Sequence, residues 1–151
     1  MLDIRFSRAL KVMLLLALSD ADEATAQSSA QLARNLNTNP SLVRKLLVPL
    51  VNAGLVVCAK GRAGGARLGR PAETITLAEI YRCAVGDKPL WACSPAGEQD
   101  ACLVSAHASD YFAALTAEAE EAVLASLGDR TLADSVRELR RLDEQHANNS
   151  A

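Results

Sequence analysis

The stretch that decides the fold runs from Ser28 to Pro71 and reads SSAQLARNLNTNPSLVRKLLVPLVNAGLVVCAKGRAGGARLGRP. Two segments with helical apolar spacing flank a short polar turn, and an apolar run then leads into a segment rich in glycine and arginine. Ser28 and Gln31 form a capping box for the first helix, and Asn39 followed by Pro40 is a strong start for the second. The order helix, turn, helix, hairpin predicts a winged helix-turn-helix fold, mainly α with a small β-hairpin wing.

The second predicted helix spans residues 40–53 and differs chemically on its two sides. The apolar side chains repeat with helical spacing and are predicted to face the core, at Val43, Leu46, Leu47 and Leu50. The opposite side presents Ser41, Arg44 and Lys45 near the N-terminal end, where a recognition helix contacts bases and phosphates. Pro49 lies in the helix interior at a cost of about 3 kcal/mol, and we expect a kink or early fraying there.

An apolar run at 55–58 and a partner at 66–68 predict a hairpin joined by a glycine-rich, basic loop. The glycines permit positive φ and close approach to another backbone. The loop lacks the spacing of either common nucleotide-phosphate motif, so we interpret it as a wing, with Arg62 at its tip entering a minor groove. The residues predicted to contact DNA are Ser28, Asn37, Thr38, Asn39, Pro40, Ser41, Arg44, Lys45, Lys60, Arg62, Gly64, Gly65 and Arg67.

Charge is distributed unevenly along the chain. The net charge of −2 alone argues against a nucleic-acid partner. Residues 1–70, however, hold 10 Lys and Arg against four Asp and Glu, whereas residues 71–151 hold six against 14. The basic first half predicts a phosphate-binding surface for double-stranded DNA, and a merely solvated basic face is the alternative.

The remaining sequence predicts four further helices, at 3–19, 73–86, 105–127 and 131–145. The 105–127 helix is apolar at nearly heptad spacing, at Ala108, Phe112, Leu115, Ala119, Ala122 and Leu127. This pattern predicts a homodimer formed through that helix, and packing only within its own domain is the alternative. The predicted organisation is a DNA-binding domain at 1–86, a Cys-containing sensor loop at 87–104, the dimerisation and C-terminal helices at 105–145, and a flexible tail at 146–151.

The N-terminal segment has some features of a secretion signal. Basic residues precede an apolar run at 12–18, and Ala24-Thr25-Ala26 has the small-residue pattern of a cleavage site. Acidic residues crowd that site and the apolar run is short, so we expect a cytoplasmic protein. No stretch reaches the roughly 18–20 apolar residues of a membrane span, so no membrane partner is expected. The four cysteines are then expected to be reduced.

Four segments together carry a family resemblance: LNTNPSLVRKLL, AGLVVCAKGRAGGARLGRP, ITLAEIYRCAVG and TLAD. Nearly the whole chain resembles the Rrf2 family of winged helix-turn-helix regulators, and most closely its YwnA-type branch. The resemblance implies a dimer that binds DNA through the helix at Pro40–Ala53 and the wing at Gly61–Gly65. It also implies that the long helix crosses to the partner subunit.

The cysteines leave the mode of sensing open. Cluster-binding members of the family carry three closely spaced Cys after the short helix, whereas this chain has Cys93 and Cys102, with His107 beyond them. A redox-responsive disulfide between the two cysteines is one hypothesis, an iron–sulfur cluster that also uses His107 is another, and inert cysteines are a third. No cofactor or confident metal site is expected. Cys58 and Cys83 are predicted to be small core residues.

An enzyme is the competing class of protein. The sequence shows no catalytic motif, and its two histidines, His107 and His146, have no evident catalytic partners. We therefore expect the protein to be a regulator rather than an enzyme, and to act as a repressor on a pseudo-palindromic operator. A non-enzymatic interaction module with weak DNA binding stays open as an alternative.

Overall fold

The computed structural model describes residues 4–21, 26–92 and 102–150. In these ranges the chain forms α1 (Arg5–Ala21), α2 (Ser29–Asn35), α3 (Pro40–Asn52), β1 (Val56–Ala59), β2 (Gly65–Leu68), α4 (Leu77–Val85), α5 (Leu103–Leu127) and α6 (Leu132–Asn149), with a short 3-10 turn at Ala72–Thr74. The two strands pair antiparallel, with Val56 opposite Leu68 and Ala59 opposite Gly65. The predicted fold class, mainly α with a hairpin wing and a long helix in the C-terminal half, is confirmed.

The hydrophobic core lies where α1 meets α4, α6 and β2, and where α3 packs on α2 and α4. Its largest fully buried side chains are Met13, Leu16, Leu32, Leu50, Leu55, Ile75, Ile80 and Leu132. Removing each such side chain from water stabilises the fold by about 1.5–3 kcal/mol. The helix-turn-helix therefore rests on a core to which both ends of the chain contribute.

Local signals in the sequence set the ends of α2 and α3. The Ser28 hydroxyl accepts from the Gln31 N–H at 3.2 Å, and the Gln31 carboxamide accepts from the Ser28 N–H at 2.7 Å. Asn39 caps α3 by accepting from the Leu42 N–H at 2.9 Å. Between the helices Asn37 has a φ of +50°, which asparagine tolerates better than most residues. The predicted capping box and helix start are confirmed.

Pro49 does not fray α3. The helix continues to Asn52, and the N–H of Ala53 donates to the Pro49 carbonyl at 3.1 Å. Leu47 and Leu50 are buried on either side of the proline and hold this turn against the core. The carbonyl that loses its partner belongs to Lys45, an exposed residue to which water has access. The prediction of early fraying is therefore wrong.

The C-terminal helix is longer than expected. The sequence predicted that this helix ends at residue 145, but α6 continues to Asn149, so the predicted end is corrected by four residues, while a flexible tail at 146–151 stays a prediction. Local contacts support these exposed turns. The Arg141 Nε donates to Glu138 at 2.8 Å, and the Ser150 hydroxyl donates to the His146 carbonyl at 2.9 Å. Such i,i+3 and i,i+4 contacts extend a helix that the core has already nucleated.

The long helix α5 has few contacts with the rest of the fold. Among the described side chains of its 25 residues, Thr116 alone is buried, whereas Leu103 is 80% and Tyr111 63% exposed. Cys102 caps it, so the helix begins two residues before the predicted start. In the described part of the chain, no helix combines the length and the apolar character needed to cross a membrane.

Candidate nucleic-acid interface

The N-terminal half of α3 presents the predicted reading residues to solvent. Ser41, Arg44 and Lys45 are all exposed. Their orientation follows from the buried stripe on the other side of α3, where Val43, Leu47 and Leu50 pack into the core. Since the helix cannot rotate without exposing this stripe, the hydroxyl, guanidinium and ammonium groups keep their outward direction.

A cleft of about 480 Å³ separates α2 from the wing. It brings Ser28, at the start of α2, to the same place as Arg62 and Gly64 of the wing loop, and it adds Arg34. Two guanidinium groups and a hydroxyl around one cleft form a suitable site for a phosphate.

A second cleft, of about 240 Å³, lies between α1 and the turn that precedes α3. Arg8 and Lys11 of α1 line it together with Thr38. The sequence analysis considered these cations only as part of a possible secretion signal. The buried Met13 and Ala17 show that the two cations leave α1 on another side of the helix, but their position against the turn depends on tertiary packing.

Close backbone contacts hold the wing beside α2. The Ala66 N–H donates to the Gln27 carbonyl at 2.8 Å, and the Gln27 N–H donates to the Ala66 carbonyl at 3.0 Å. Gly65 has a φ of +148°, and a Cβ there would lie 2.6 Å from the Gln27 carbonyl oxygen. A Cβ on Gly64 would lie 2.3 Å from the Ala59 carbonyl oxygen. The two glycines thus have a packing role that is independent of any contact with DNA.

A groove of about 560 Å³ runs between α3 and the wing and joins them into one surface. Arg44 and Lys60 line it beside the apolar side chains of Val48 and Val51. Cys58 also lines this groove and is exposed, so its prediction as a core residue is wrong. Cys58 pairs with Ala66 on the side of the hairpin that meets the groove, and its partial burial there raises the pKa of its thiol.

The interface carries a concentration of positive charge. Seven of its cations are exposed, at Lys11, Arg34, Arg44, Lys45, Lys60, Arg62 and Arg67. None of the seven forms a salt bridge to a carboxylate in the ranges that the structure describes. Because no carboxylate of the described residues neutralises them, these side chains are available to an anionic partner.

The predicted sensing residues are not brought together by the described residues. Cys93 lies outside those ranges. Cys102 is exposed at the start of α5, and His107 is exposed five positions later on a different side of the helix. Cys83 is half-buried on α4, where burial and the nearby Glu79 carboxylate raise the pKa of its thiol. Within the described ranges, no three His, Cys, Asp or Glu side chains are grouped so that they could hold a metal ion.

Cys102 has an environment that favours its thiolate. Its sulfur lies 3.1 Å from the Ser105 hydroxyl and accepts from the Ser105 N–H at 3.3 Å. These hydrogen bonds from Ser105 lower the pKa of the Cys102 thiol below its ordinary value. The position at the N-terminus of a 25-residue helix acts in the same direction, since the helix dipole stabilises an anion there.

Comparison with known proteins agrees with this fold. The family model described as "Rrf2: Iron-dependent Transcriptional regulator" matches residues 2–138. Protein aau3 of Rhizobium meliloti is 39% identical over 74 residues, which make up 49% of this chain and 48% of the relative. The protein named as the HTH-type transcriptional regulator YwgB of Bacillus subtilis is 35% identical over 75 residues, 50% of this chain and 48% of the relative. The chain thus spans about half the length of these curated relatives.

A solved structure of a protein described as a transcriptional regulator from Lactobacillus plantarum superposes with a TM-score of 0.76. The match has 24% identity and covers 98% of this chain and 99% of the other, so it supports the fold. The family resemblance drawn from the four sequence segments is confirmed, whereas the YwnA-type branch stays a prediction. Since the family model matches residues 2–138, the chain belongs to the Rrf2 family, whose members are transcriptional regulators and not enzymes.

Proposed function

We propose that this protein is a homodimeric DNA-binding transcriptional repressor that reads a pseudo-palindromic operator. The observation that carries the proposal is the set of seven exposed cations on α1, α2, α3 and the wing, none of which is paired with a carboxylate of the described residues. In this mechanism the N-terminal half of α3 enters the major groove, where Arg44 and Ser41 contact base edges. Lys45 binds phosphate, and Arg62 at the wing tip enters the adjacent minor groove.

The exposed apolar surface of α5 supports the homodimer. The helix is about 37 Å long by its rise per residue. It contains no Lys or Arg, and large apolar side chains such as Val104 and Tyr111 are exposed on it. A second copy of the same helix would cover this surface, as in other helix pairs with apolar seams. Two-fold symmetry would then present two copies of α3 to two half-sites of an operator.

The dependence of DNA affinity on salt tests the proposed function. A 30-bp duplex enriched by the protein from a random pool is the probe, and fluorescence anisotropy gives Kd. Between 50 and 200 mM salt we expect affinity to fall by about 10³–10⁵-fold, because counterions are released from several phosphates. Lys45→Ala should make the slope of log K against log salt shallower, because fewer counterions are released.

Arg140→Ala is the matched control, since Arg140 is an exposed cation on α6, away from the interface. Its slope should equal that of the wild type. Affinity that hardly responds to salt, or no enrichment of any duplex, would instead favour the non-enzymatic interaction module.

A response to oxidants is a second part of the proposal, and the environment of Cys102 favours it. Hydrogen peroxide would take two electrons and two protons from the thiols of Cys93 and Cys102, forming one disulfide and two molecules of water. Because Cys102 caps α5, the new bond would constrain the start of the proposed dimerisation helix. That constraint would change the spacing of the two wings in the dimer.

Iodoacetamide at neutral pH tests the reactivity of Cys102. The rate of alkylation should exceed that of Cys58 and Cys83, because the pKa of Cys102 is lowered and theirs are raised. The rate at Cys102 should also reach its plateau at a lower pH than that of an unstructured cysteine peptide. Mass spectrometry of each peptide measures both effects. Equal rates at Cys102 and Cys58 would contradict the assignment, and Cys102→Ser identifies the reactive peptide.

An iron–sulfur cluster does not fit the described donors. Cys102 and His107 leave α5 on different sides, and Cys83 is half-buried on another helix. Closed coordination of a cluster needs thiolate or imidazole ligands that converge on one point. We therefore assign no cluster chemistry to these side chains.

A further inference from the structure

A charged side chain just after strand β2 connects the wing to another element of the fold. Arg70 follows β2 by two residues, and its Nη2 lies 2.9 Å from each carboxylate oxygen of Glu79 on α4. The same nitrogen donates to the Thr74 carbonyl at 3.1 Å. The Nε of Arg70 is buried and has no hydrogen-bond partner among the described residues. Two groups, the Glu79 carboxylate and the Thr74 carbonyl, thus position the Nη2 end of the guanidinium.

Glu79 has a fixed position of its own. It is the capping-box residue of α4, and its carboxylate accepts from the Thr76 N–H at 2.9 Å and from the Thr76 hydroxyl at 3.1 Å. Partial burial opposes its ionised form, but the hydrogen bonds from Thr76 and Arg70 outweigh this effect and lower the pKa of the carboxyl group. Leu77 and Ile80 anchor α4 in the core. The carboxylate is therefore positioned by its capping contacts, and its ionised form is favoured.

A two-stranded hairpin alone is marginally stable, and the backbone hydrogen bonds between Gln27 and Ala66 attach this wing on its α2 side. At its base the Gly69 N–H donates to the Leu55 carbonyl at 2.9 Å, and a Cβ on Gly69 would lie 2.3 Å from the Gly54 carbonyl oxygen. These contacts join the two ends of the hairpin to each other. Arg70 instead ties the hairpin to α4, which packs on both α1 and α3.

We propose that Arg70 is a positioning residue for the wing: its ion pair with Glu79 sets where Arg62 meets DNA relative to α3. Arg70 itself does not contact DNA and acts through Arg62. This inference rests on the proposed function.

A double-mutant cycle tests the inference on the full-length protein with the enriched 30-bp duplex. The variants are Arg62→Ala, Arg70→Met and the double variant, and Kd is measured across a salt series. Arg62→Ala should make the slope of log K against log salt shallower by about 2, because each subunit loses one cation that displaces counterions from the DNA. Arg70→Met should produce the same change in slope, and the double variant should equal Arg62→Ala in both slope and Kd. A merely structural role would add its effect to that of Arg62→Ala.

Glu79→Gln is the second variant, because glutamine keeps the capping box of α4 while the ion pair is lost. It should reproduce the slope of Arg70→Met, so the test survives even if Arg70→Met does not fold. Hydrogen exchange should be faster at residues 56–68 in either variant and unchanged in α1 and α3.

Different results would contradict the role of Arg70 and the proposed function. Additive effects in the cycle, or wild-type slopes in both Arg70→Met and Glu79→Gln, would overturn the role of Arg70 while leaving DNA binding intact. Absence of salt-dependent binding by the wild type would instead overturn the proposed function.

Discussion

Replacing Tyr111 with glutamate is expected to convert the dimer to a monomer and to weaken binding to the enriched duplex by about 10²–10⁴-fold. Tyr111 is 63% exposed on α5, so its own subunit does not need it for folding. In the proposed dimer the same side chain lies between apolar surfaces, where an unpaired carboxylate is costly to bury. Once the subunits separate, each binds one half-site and loses the effective concentration that the second half-site provides. Analytical ultracentrifugation measures the first effect and fluorescence anisotropy the second.

Two matched variants separate the interface from general effects of charge. Tyr111→Phe keeps the aromatic ring and should remain dimeric. Gln145→Glu adds the same charge at an exposed position of α6 and should bind DNA as the wild type does. If Tyr111→Glu sedimented as a dimer, the face of α5 that contains Tyr111 could not be the interface, and α5 would pack in another way.

The sequence predicted the fold well because its decisive signals are local. A capping box depends on side chains three residues apart, as at Ser28 and Gln31, so tertiary packing hardly alters it. The helix start at Asn39 and Pro40 is equally local. These helix ends define the helix-turn-helix. The glycine-rich loop between two short apolar runs then predicts the hairpin that follows.

Features that depend on packing between distant segments could not be predicted in the same way. Arg34 belongs to the candidate interface because the wing folds back beside α2, and Arg8 because α1 lies against the turn. Cys58 has strand-like neighbours in the sequence, yet it faces a groove rather than the core. The ion pair of Arg70 with Glu79 joins residues nine positions apart, and no periodic sequence pattern predicts it. Each depends on tertiary geometry that composition and spacing do not encode.

Arg44→Ala is expected to lose both affinity and sequence preference. A guanidinium that reads a base edge contributes about 1–3 kcal/mol, and a dimer carries the substitution twice, so specific binding should weaken by about 2–6 kcal/mol. Binding to a duplex of scrambled sequence should weaken far less, because no base is read there. Arg44 can take this role because it is exposed on α3 and lines the groove between this helix and the wing. Competition between enriched and scrambled duplexes measures the ratio of the two affinities.

Lys45→Ala is the matched comparison, because Lys45 is the adjacent exposed cation on the same helix. An ammonium group bound to phosphate contributes equally on every sequence, so this variant should weaken both duplexes alike and leave their ratio unchanged. The two residues differ by about 100° around α3, which is enough to direct one side chain at the groove floor and the other at the backbone. If Arg44→Ala and Lys45→Ala lowered both affinities in parallel, α3 would bind phosphate without reading bases. Sequence preference would then have to come from the wing or from the shape of the DNA.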